Sequence, residues 1–301
     1  MRYINFCSNS GAVQTALDEQ ELGKPYVVYI EDEKRLDWNS KSRVIPFSEQ
    51  PLTFEIISGG TIVFSSYNNS STCVVEYKKN NSDWAEVHTS RDGTAISVSP
   101  GDIIQIKGKD FTSNYNGPLK FEKSTATFSA YGNIMSLLSG TGFENITVLT
   151  GDYAYSNLFD GCSGLTDAGN LILPATTLTN HAYDKMFRNC VALTTPPELP
   201  ATSLIGFCYQ EMFYGCASLS KAPDLLANYV PTYGYYYMFY GCRNLNYVKC
   251  LATEFENNYT TTRNMLSNVS PTGTFVKHPN ATWSTGSDGI PSGWTIIDAE
   301  I

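Results

Sequence analysis

The sequence predicts a mixed α and β, multi-domain fold, in which an N-terminal antiparallel β-sandwich is followed by a short α/β solenoid. Three observations support this class. Residues 46–128 contain short segments of alternating polarity separated by turn residues. From about residue 153 the sequence repeats itself. The chain has 301 residues, of which 16% are charged and 42% hydrophobic, and this composition is typical of folded globular domains.

Residues 1–45 are predicted to form a β-hairpin arm. The apolar segment YVVYI (26–30) is followed by a charged turn and by a second short candidate strand, RLDW (35–38). The arm could pack on the sandwich or serve as an attachment segment.

Residues 46–130 are predicted to form the β-sandwich. The candidate strands are 52–57, 61–65, 73–78, 84–88, 95–99, 103–108 and 126–130. Gly, Asn, Asp and Pro separate them, and no long helical period interrupts them. Short strands at this spacing favour an antiparallel sandwich. The Cys…Trp…Cys pattern of immunoglobulin domains is absent from the sequence.

Four segments of the C-terminal half align without gaps: 155–165, 183–193, 209–219 and 235–245. The second anchor phenylalanine follows the first by 28 residues (159 to 187), and the next two intervals are 26 residues (187 to 213 and 213 to 239). A tyrosine lies four residues before each anchor, a cysteine three after it and a leucine six after it. The predicted repeat core is therefore Tyr155, Phe159, Cys162, Leu165, Tyr183, Phe187, Cys190, Leu193, Tyr209, Phe213, Cys216, Leu219, Tyr235, Phe239, Cys242 and Leu245.

The spacing inside each repeat predicts a short helix. Tyrosine at −4, Leu or Met at −1, phenylalanine at 0 and cysteine at +3 follow the i, i+3, i+4, i+7 pattern of one apolar helical stripe. Glycine or asparagine at +2 would end the helix, and a proline-containing segment would follow in extended conformation. The predicted leucine-rich-repeat-like solenoid covers 131–270, including an N-terminal cap at 131–152 and a degenerate fifth copy at Met265-Leu266. Residues 271–301 are its predicted C-terminal cap.

The eight cysteines are interpreted mainly as reduced, structural thiols. Four of them occupy one repeat column, and their spacing matches no zinc-ligand pattern. A bridge between Cys208 and Cys250 remains an alternative.

No catalytic or metal-binding motif is found, so the sequence predicts a non-enzymatic protein without cofactors. His88, His181 and His278 are far apart, and His181 lies in no repeated column, which is typical of an exposed residue at a helix start. The net charge of −9 argues against a nucleic-acid partner. No apolar run approaches the roughly 20 residues of a membrane span, and the N-terminus lacks the apolar region of a secretory signal.

Tyr236, Tyr237 and Tyr240 lie outside the predicted helical stripe and are the candidate ligand-binding residues. Clustered exposed tyrosines suit contact with a sugar or a protein, because each ring offers a large area and a hydroxyl. Packing against the irregular fourth repeat or the C-terminal cap is the alternative, and the simpler, interpretation.

The repeat resembles the BspA-like leucine-rich-repeat proteins of gut bacteria, most closely at MFYGCASLSKAPDL (212–225). GNIMSLL (132–138) and GSDGIPSGWTIID (286–298) are similar to the entry and exit segments of that family, and 52–108 resembles a sandwich that precedes such repeats. The resemblance implies an adhesion or binding protein at the cell surface or outside the cell, with a protein or glycan ligand on a host or neighbouring cell. The alternatives are a structural or attachment protein of a prophage-like particle and, less favoured, a glycan-active enzyme.

Overall fold

The computed structural model describes residues 45–67, 73–110, 119–256, 258–286 and 289–300, together with the backbone of the first three strands. The strands of the N-terminal part are β1 (Tyr3–Phe6), β2 (Val27–Ile30), β3 (Arg35–Trp38), β4 (Ile45–Pro46), β5 (Leu52–Ser58), β6 (Gly60–Phe64), β7 (Val74–Lys79), β8 (Ala85–His88), β9 (Thr94–Val98), β10 (Ile103–Asp110) and β11 (Thr127–Asn133). Those of the C-terminal part are β12 (Leu165–Ile172), β13 (Tyr229–Val230), β14 (Tyr247–Cys250), β15 (Glu254–Phe255), β16 (Gly273–Lys277) and β17 (Trp294–Asp298). A four-residue helix, α1, covers Asn258–Thr261, and 3-10 turns cover Phe47–Glu49, Ile134–Leu137 and Phe143–Asn145.

The part of the chain from β5 to β11 is built from two sheets. Five of its strands belong to a six-stranded sheet of order β12-β11-β5-β10-β7-β8, while β6 and β9 form a separate antiparallel pair. The alternating apolar side chains of these strands point into one core, where Phe54, Phe121 and Phe128 are fully buried. The Phe54 ring lies 4.9 Å from Phe121 and 4.5 Å from Phe128, measured between ring centroids.

The first four strands form a sheet of their own, of order β1-β2-β3-β4. Within the segment predicted as an arm, β2 and β3 pair antiparallel, with Val27 opposite Trp38. The parallel pairing of β1 with β2 adds a strand that the sequence did not indicate.

The sandwich strands and the repeats share one core. Strand β11 pairs antiparallel with β5 on one side and parallel with β12, a strand of the first repeat, on the other. The predicted boundary at 130/131 therefore lies inside β11. The Phe121 ring also stacks on Phe159, the first repeat anchor, at 5.6 Å. The N-terminal part thus covers the apolar end of the repeat array.

The predicted α/β solenoid is wrong. The regular secondary structure is nearly all sheet, with 34% of the residues in strands and 5% in helices. The described chain contains no helix of seven or more residues, no closed barrel and no solenoid. The leucine-rich-repeat class therefore lacks structural support as well. Where helices were predicted, the backbone forms overlapping turns, in which Ser156, Leu158 and Asp160 each donate their N–H to the carbonyl three residues earlier.

A left-handed residue at every fourth position explains why these turns do not become helices. The first repeat has positive φ at Tyr153, Asn157 and Gly161. The next three have it at the equivalent positions, which are His181, Lys185, Asn189, Phe207, Glu211, Gly215, Tyr233, Tyr237 and Gly241. A positive φ at the third residue of a four-residue turn is the requirement of a type II turn, and it interrupts a right-handed helix. Because the turns recur every four residues, the side chains at positions −4 and 0 lie on the same side of the segment, as do those at −1 and +3. The turns therefore show the same apolar pattern as a helix.

The alternate N–H groups join neighbouring repeats. Tyr155, Asn157 and Phe159 donate to the carbonyls of Ala182, Asp184 and Met186, at N–O distances of 2.8–2.9 Å. The later repeats continue the pattern, so each turn segment is hydrogen-bonded within itself and to the next. This pairing brings equivalent side chains into contact.

All sixteen predicted core residues are buried, with at most 2% of their surface exposed. The anchor rings of Phe159, Phe187, Phe213 and Phe239 stack at successive centroid distances of 5.3, 5.4 and 5.6 Å. The thiols of Cys190, Cys216 and Cys242 donate to the carbonyl of the anchor in the preceding repeat, and the thiol of Cys162 donates to Phe121 O. A small residue with a weak donor suits this position.

The C-terminal segment covers the other end of the array with a parallel sheet of order β14-β16-β17. Trp294 is buried there, and its indole Nε1–H donates to Ser270 O at 2.8 Å. Trp283 packs edge-on against Phe255 and Phe275, both at 5.0 Å. The apolar end of the array is thereby covered.

Candidate functional site

Positions −3, −2 and +1 relative to the anchor phenylalanine lie outside the apolar core columns, and we call them the outward columns. Their side chains are half-buried in the third and fourth repeats, whereas Ser156, Asp160 and Asp184 of the first two repeats are buried. In the second repeat the outward columns hold Asp184, Lys185 and Arg188, whereas in the fourth they hold Tyr236, Tyr237 and Tyr240. The backbone is the same in both repeats, since positive φ recurs at −2 in each. The turn structure therefore does not require tyrosine at these positions.

The predicted residues Tyr236, Tyr237 and Tyr240 lie together and are half-buried. Tyr237 is 4.5 Å from Tyr236 and 5.2 Å from Tyr240, and the ring planes are tilted by 55° and 41°. Tyr214 of the third repeat stacks on Tyr240 at 4.9 Å. We call Tyr214, Tyr236, Tyr237 and Tyr240 the tyrosine face. The two interpretations made from the sequence are not exclusive, because the rings pack on one another while retaining exposed surface.

Charged side chains form a network beside the tyrosine face. Arg188 binds Asp160 through Nε and Nη2 at 2.8 and 2.7 Å, and its Nη1 donates to Glu211 at 3.3 Å. Asp160 also lies 3.7 Å from Lys120 Nζ, which comes from the N-terminal part and is 4% exposed. The carboxylate partners raise the pKa of the Arg188 guanidinium, chiefly through the hydrogen bonds to Asp160. The guanidinium is consequently charged and held in one orientation.

A pocket of about 280 Å³ lies between the charged network and the tyrosine face. It is lined by Arg188, Asn189, Glu211, Tyr214, Tyr236 and Tyr237. Burial and the neighbouring Tyr237 raise the pKa of Tyr236, so its phenol stays protonated at neutral pH. Only Tyr236 and Tyr237 of these residues were predicted from the sequence. The change from charged residues to tyrosine in the outward columns was the signal that could have found the others.

A second aromatic set contains His181, so the prediction that this residue lies in no repeated column is wrong. Tyr153, His181, Phe207 and Tyr233 occupy position −6 of successive repeats and stack at 4.3, 4.4 and 4.6 Å. His181 is half-buried, and its Nδ1 lies 3.2 Å from Asp184 Oδ2. We call these four residues the aromatic row. Because position −6 holds three different ring types, only a property-based comparison of the repeats would have identified it.

A larger pocket of about 540 Å³ lies between the proline-containing segments of the second and third repeats. Pro197 and Pro223 line it, as do the carboxylates of Glu198 and Asp224. Asp224 is engaged by Lys249 Nζ at 2.8 Å. No described backbone hydrogen bond joins 194–200 to 220–226, in keeping with prolines that lack an N–H.

Among the described residues, no group of three or more His, Cys, Asp or Glu side chains is arranged to hold a metal ion. Cys208 and Cys250 are free and buried, as are the four cysteines of the repeat column. Burial raises the pKa of the Cys208 and Cys250 thiols to about 12. The described part of the chain also has no helix that is long and apolar enough to span a membrane.

Comparison of the chain with protein-family models, with curated proteins and with solved structures found no match. The resemblance to BspA-like proteins therefore stays a prediction made from the repeat motif.

Proposed function

We propose that the protein is a non-catalytic binding module whose tyrosine face holds a protein or glycan ligand. The observation that carries this proposal is the pocket beside Tyr236 and Tyr237, at positions where the turn structure does not require aromatic residues. A ligand on a host or neighbouring cell, and a location at the cell surface, are parts of the same proposal.

The composition of the face supports binding. Tyrosine provides a large contact area with few rotatable bonds, so little conformational entropy is lost when a ligand binds. The rings restrict one another further, since Tyr237 contacts Tyr236, Tyr240 and Tyr214. Arg188 is held by two carboxylates, so its position is also set before a ligand arrives.

The proposal is tested by screening the full chain against immobilised matrix proteins and glycans by biolayer interferometry. The full chain is needed because cutting at residue 131 would divide β11 and remove Phe121 from the end of the phenylalanine stack. For any ligand found, the double variant Tyr236→Ser/Tyr240→Ser is expected to weaken binding by about tenfold or more, since two rings of the contact area are lost.

The matched control is Trp84→Ser, because Trp84 is an exposed aromatic residue next to β8, at the opposite edge of the six-stranded sheet from the repeats. This variant is expected to bind like the wild type. Equal affinities for the wild type and the tyrosine double variant would refute the assignment of the tyrosine face, and the absence of any ligand in the screen would count against a binding function.

A further inference from the structure

The size of the pocket restricts what it can hold. Binding sites for drug-sized molecules have volumes of about 300–1,000 Å³. At about 280 Å³, the pocket beside the tyrosine face suits a single ring-sized group. The ligand, or the part of it that enters, is therefore small.

The walls of the pocket offer ring surface in more than one direction. Tyr236 and Tyr237 are tilted by 55° to each other, and Tyr237 and Tyr214 by 30°. The aromatic row differs, because its rings are nearly parallel and cover one another's faces, with interplanar angles of 12–14°. The tilted tyrosine rings can contact the C–H groups of a nonplanar ring, whereas the row presents mainly ring edges.

The polar groups of the pocket provide both donors and acceptors. A guanidinium carries five N–H groups. Three of those of Arg188 are used on Asp160 and Glu211 within the described chain, which leaves two to donate to a ligand. Glu211 can accept through its second oxygen, which lies 3.9 Å from Lys185 Nζ. Asn189 adds an amide that can donate and accept.

The charge balance excludes strongly charged ligands as the best fit. The charge of Arg188 is offset by its bidentate partner Asp160 and by Glu211, so an anion gains little from it. The whole chain also carries a net charge of −9. A quaternary ammonium would suit an aromatic cage, but it has no acceptor for the N–H groups of Arg188 and Asn189 that line this pocket. A neutral polyhydroxylated ring meets neither difficulty.

From this geometry we infer that the pocket between Arg188, Glu211 and Tyr237 binds one neutral sugar ring of a glycan. The inference rests on the proposed function and specifies its ligand class. The tyrosine rings contact the apolar C–H face of the sugar, while Arg188, Glu211 and Asn189 exchange hydrogen bonds with its hydroxyls.

The experiment measures binding of the full chain to a defined panel by isothermal titration calorimetry. The neutral probes are cellohexaose, chitohexaose, mannohexaose and a β-1,4-galactan fragment, and the anionic probe is a heparin hexasaccharide. Each binding probe is then tested with Tyr237→Asn and Glu211→Gln. Asparagine tolerates the left-handed backbone at position 237, so this variant removes the ring while keeping the turn. Guanidinium unfolding of each variant verifies that it is folded, and Trp84→Ser is the matched control.

We expect at least one neutral probe to bind, and both pocket variants to weaken it by about tenfold or more without an effect of Trp84→Ser. Three results would overturn the inference: no binding of any neutral probe, binding of heparin alone, or neutral-probe binding that Tyr237→Asn and Glu211→Gln leave unchanged. A protein ligand that depends on Tyr236 and Tyr240, found with no glycan binding, would overturn the sugar assignment and leave the proposed binding function intact.

Discussion

Substitutions at Asn157 distinguish the turn backbone from the predicted helix. The two backbones predict opposite signs for the difference in unfolding free energy between the alanine and the glycine variant. Asn157 lies at position −2 of the first repeat, inside the segment predicted as helical, and its φ is 61° in the structure. We compare Asn157→Ala with Asn157→Gly. Both variants remove the same side-chain hydrogen bond, from Nδ2 to Ser156 Oγ at 2.7 Å, so this loss cancels in the comparison.

The magnitude follows from backbone preferences. A residue with a Cβ is less stable by about 1–2 kcal/mol in the left-handed region, which glycine occupies freely. Glycine loses about 0.5–1 kcal/mol more than alanine on folding because its unfolded chain is more flexible. The glycine variant is therefore expected to be more stable by about 0.5–1 kcal/mol. In a helix interior the order would be reversed, with glycine about 1 kcal/mol less stable.

Equilibrium unfolding in guanidinium chloride, followed by tryptophan fluorescence and circular dichroism, measures this difference from the two midpoints at equal slope. Arg243 is a suitable control site, since it is exposed and has no positive φ, so alanine should be the more stable variant there. Greater stability of Asn157→Ala than of Asn157→Gly would refute the turn backbone.

Three further predictions concern single side chains. Asp160→Ala is expected to cost about 2 kcal/mol of unfolding free energy by denaturant titration, because Arg188 loses two charged hydrogen bonds and keeps only Glu211, while the buried Lys120 keeps only Glu122; a loss below 1 kcal/mol would contradict this. Asp102 accepts hydrogen bonds that lower its pKa to about 2. Its contribution to the free energy of unfolding is therefore complete above the unfolded pKa near 4 and is lost as the pH falls through about 2. Asp102→Asn should flatten the pH dependence of stability in this window, and an unchanged pH profile would contradict the assignment. Tyr183→Phe is expected to leave the unfolding free energy unchanged or raise it, because the buried Tyr183 hydroxyl has no hydrogen-bond partner in the described chain. Tyr155→Phe should cost about 1 kcal/mol, because the hydrogen bond to Ile134 O is lost. Equal losses of stability in thermal unfolding would argue against this difference.

The strands of the N-terminal part were predictable from sequence because their signal is local. The candidate at 52–57 is β5 (Leu52–Ser58), and the candidate at 84–88 is β8 (Ala85–His88). In these segments residue alternation and flanking turn residues specify extended backbone directly. Sheet order depends on contacts between distant residues, and the pairing of β11 with β12 across the predicted boundary was not predicted.

Two of the six pocket residues were recognisable in the same way. Tyr236 and Tyr237 stood out because they fall beside the apolar columns. Arg188 and Glu211 belong to other repeats, and only stacking of the turn segments brings them to the tyrosines. Their signal lay in the outward columns, where charge gives way to aromatic residues along the array.

The sequence by itself determined the repeat and its core, because burial follows from residue type and from the spacing at which apolar side chains recur. Phe159, Phe187, Phe213 and Phe239 had to share one environment in any stacked arrangement. The backbone that carries them was decided only by tertiary structure. Helices and four-residue turns place the same side chains on the same side. The turns are selected by left-handed residues such as Asn157 and by N–H groups that bond to the next repeat, at residues about 26 to 28 positions away. The spacing of the apolar residues does not indicate those hydrogen bonds.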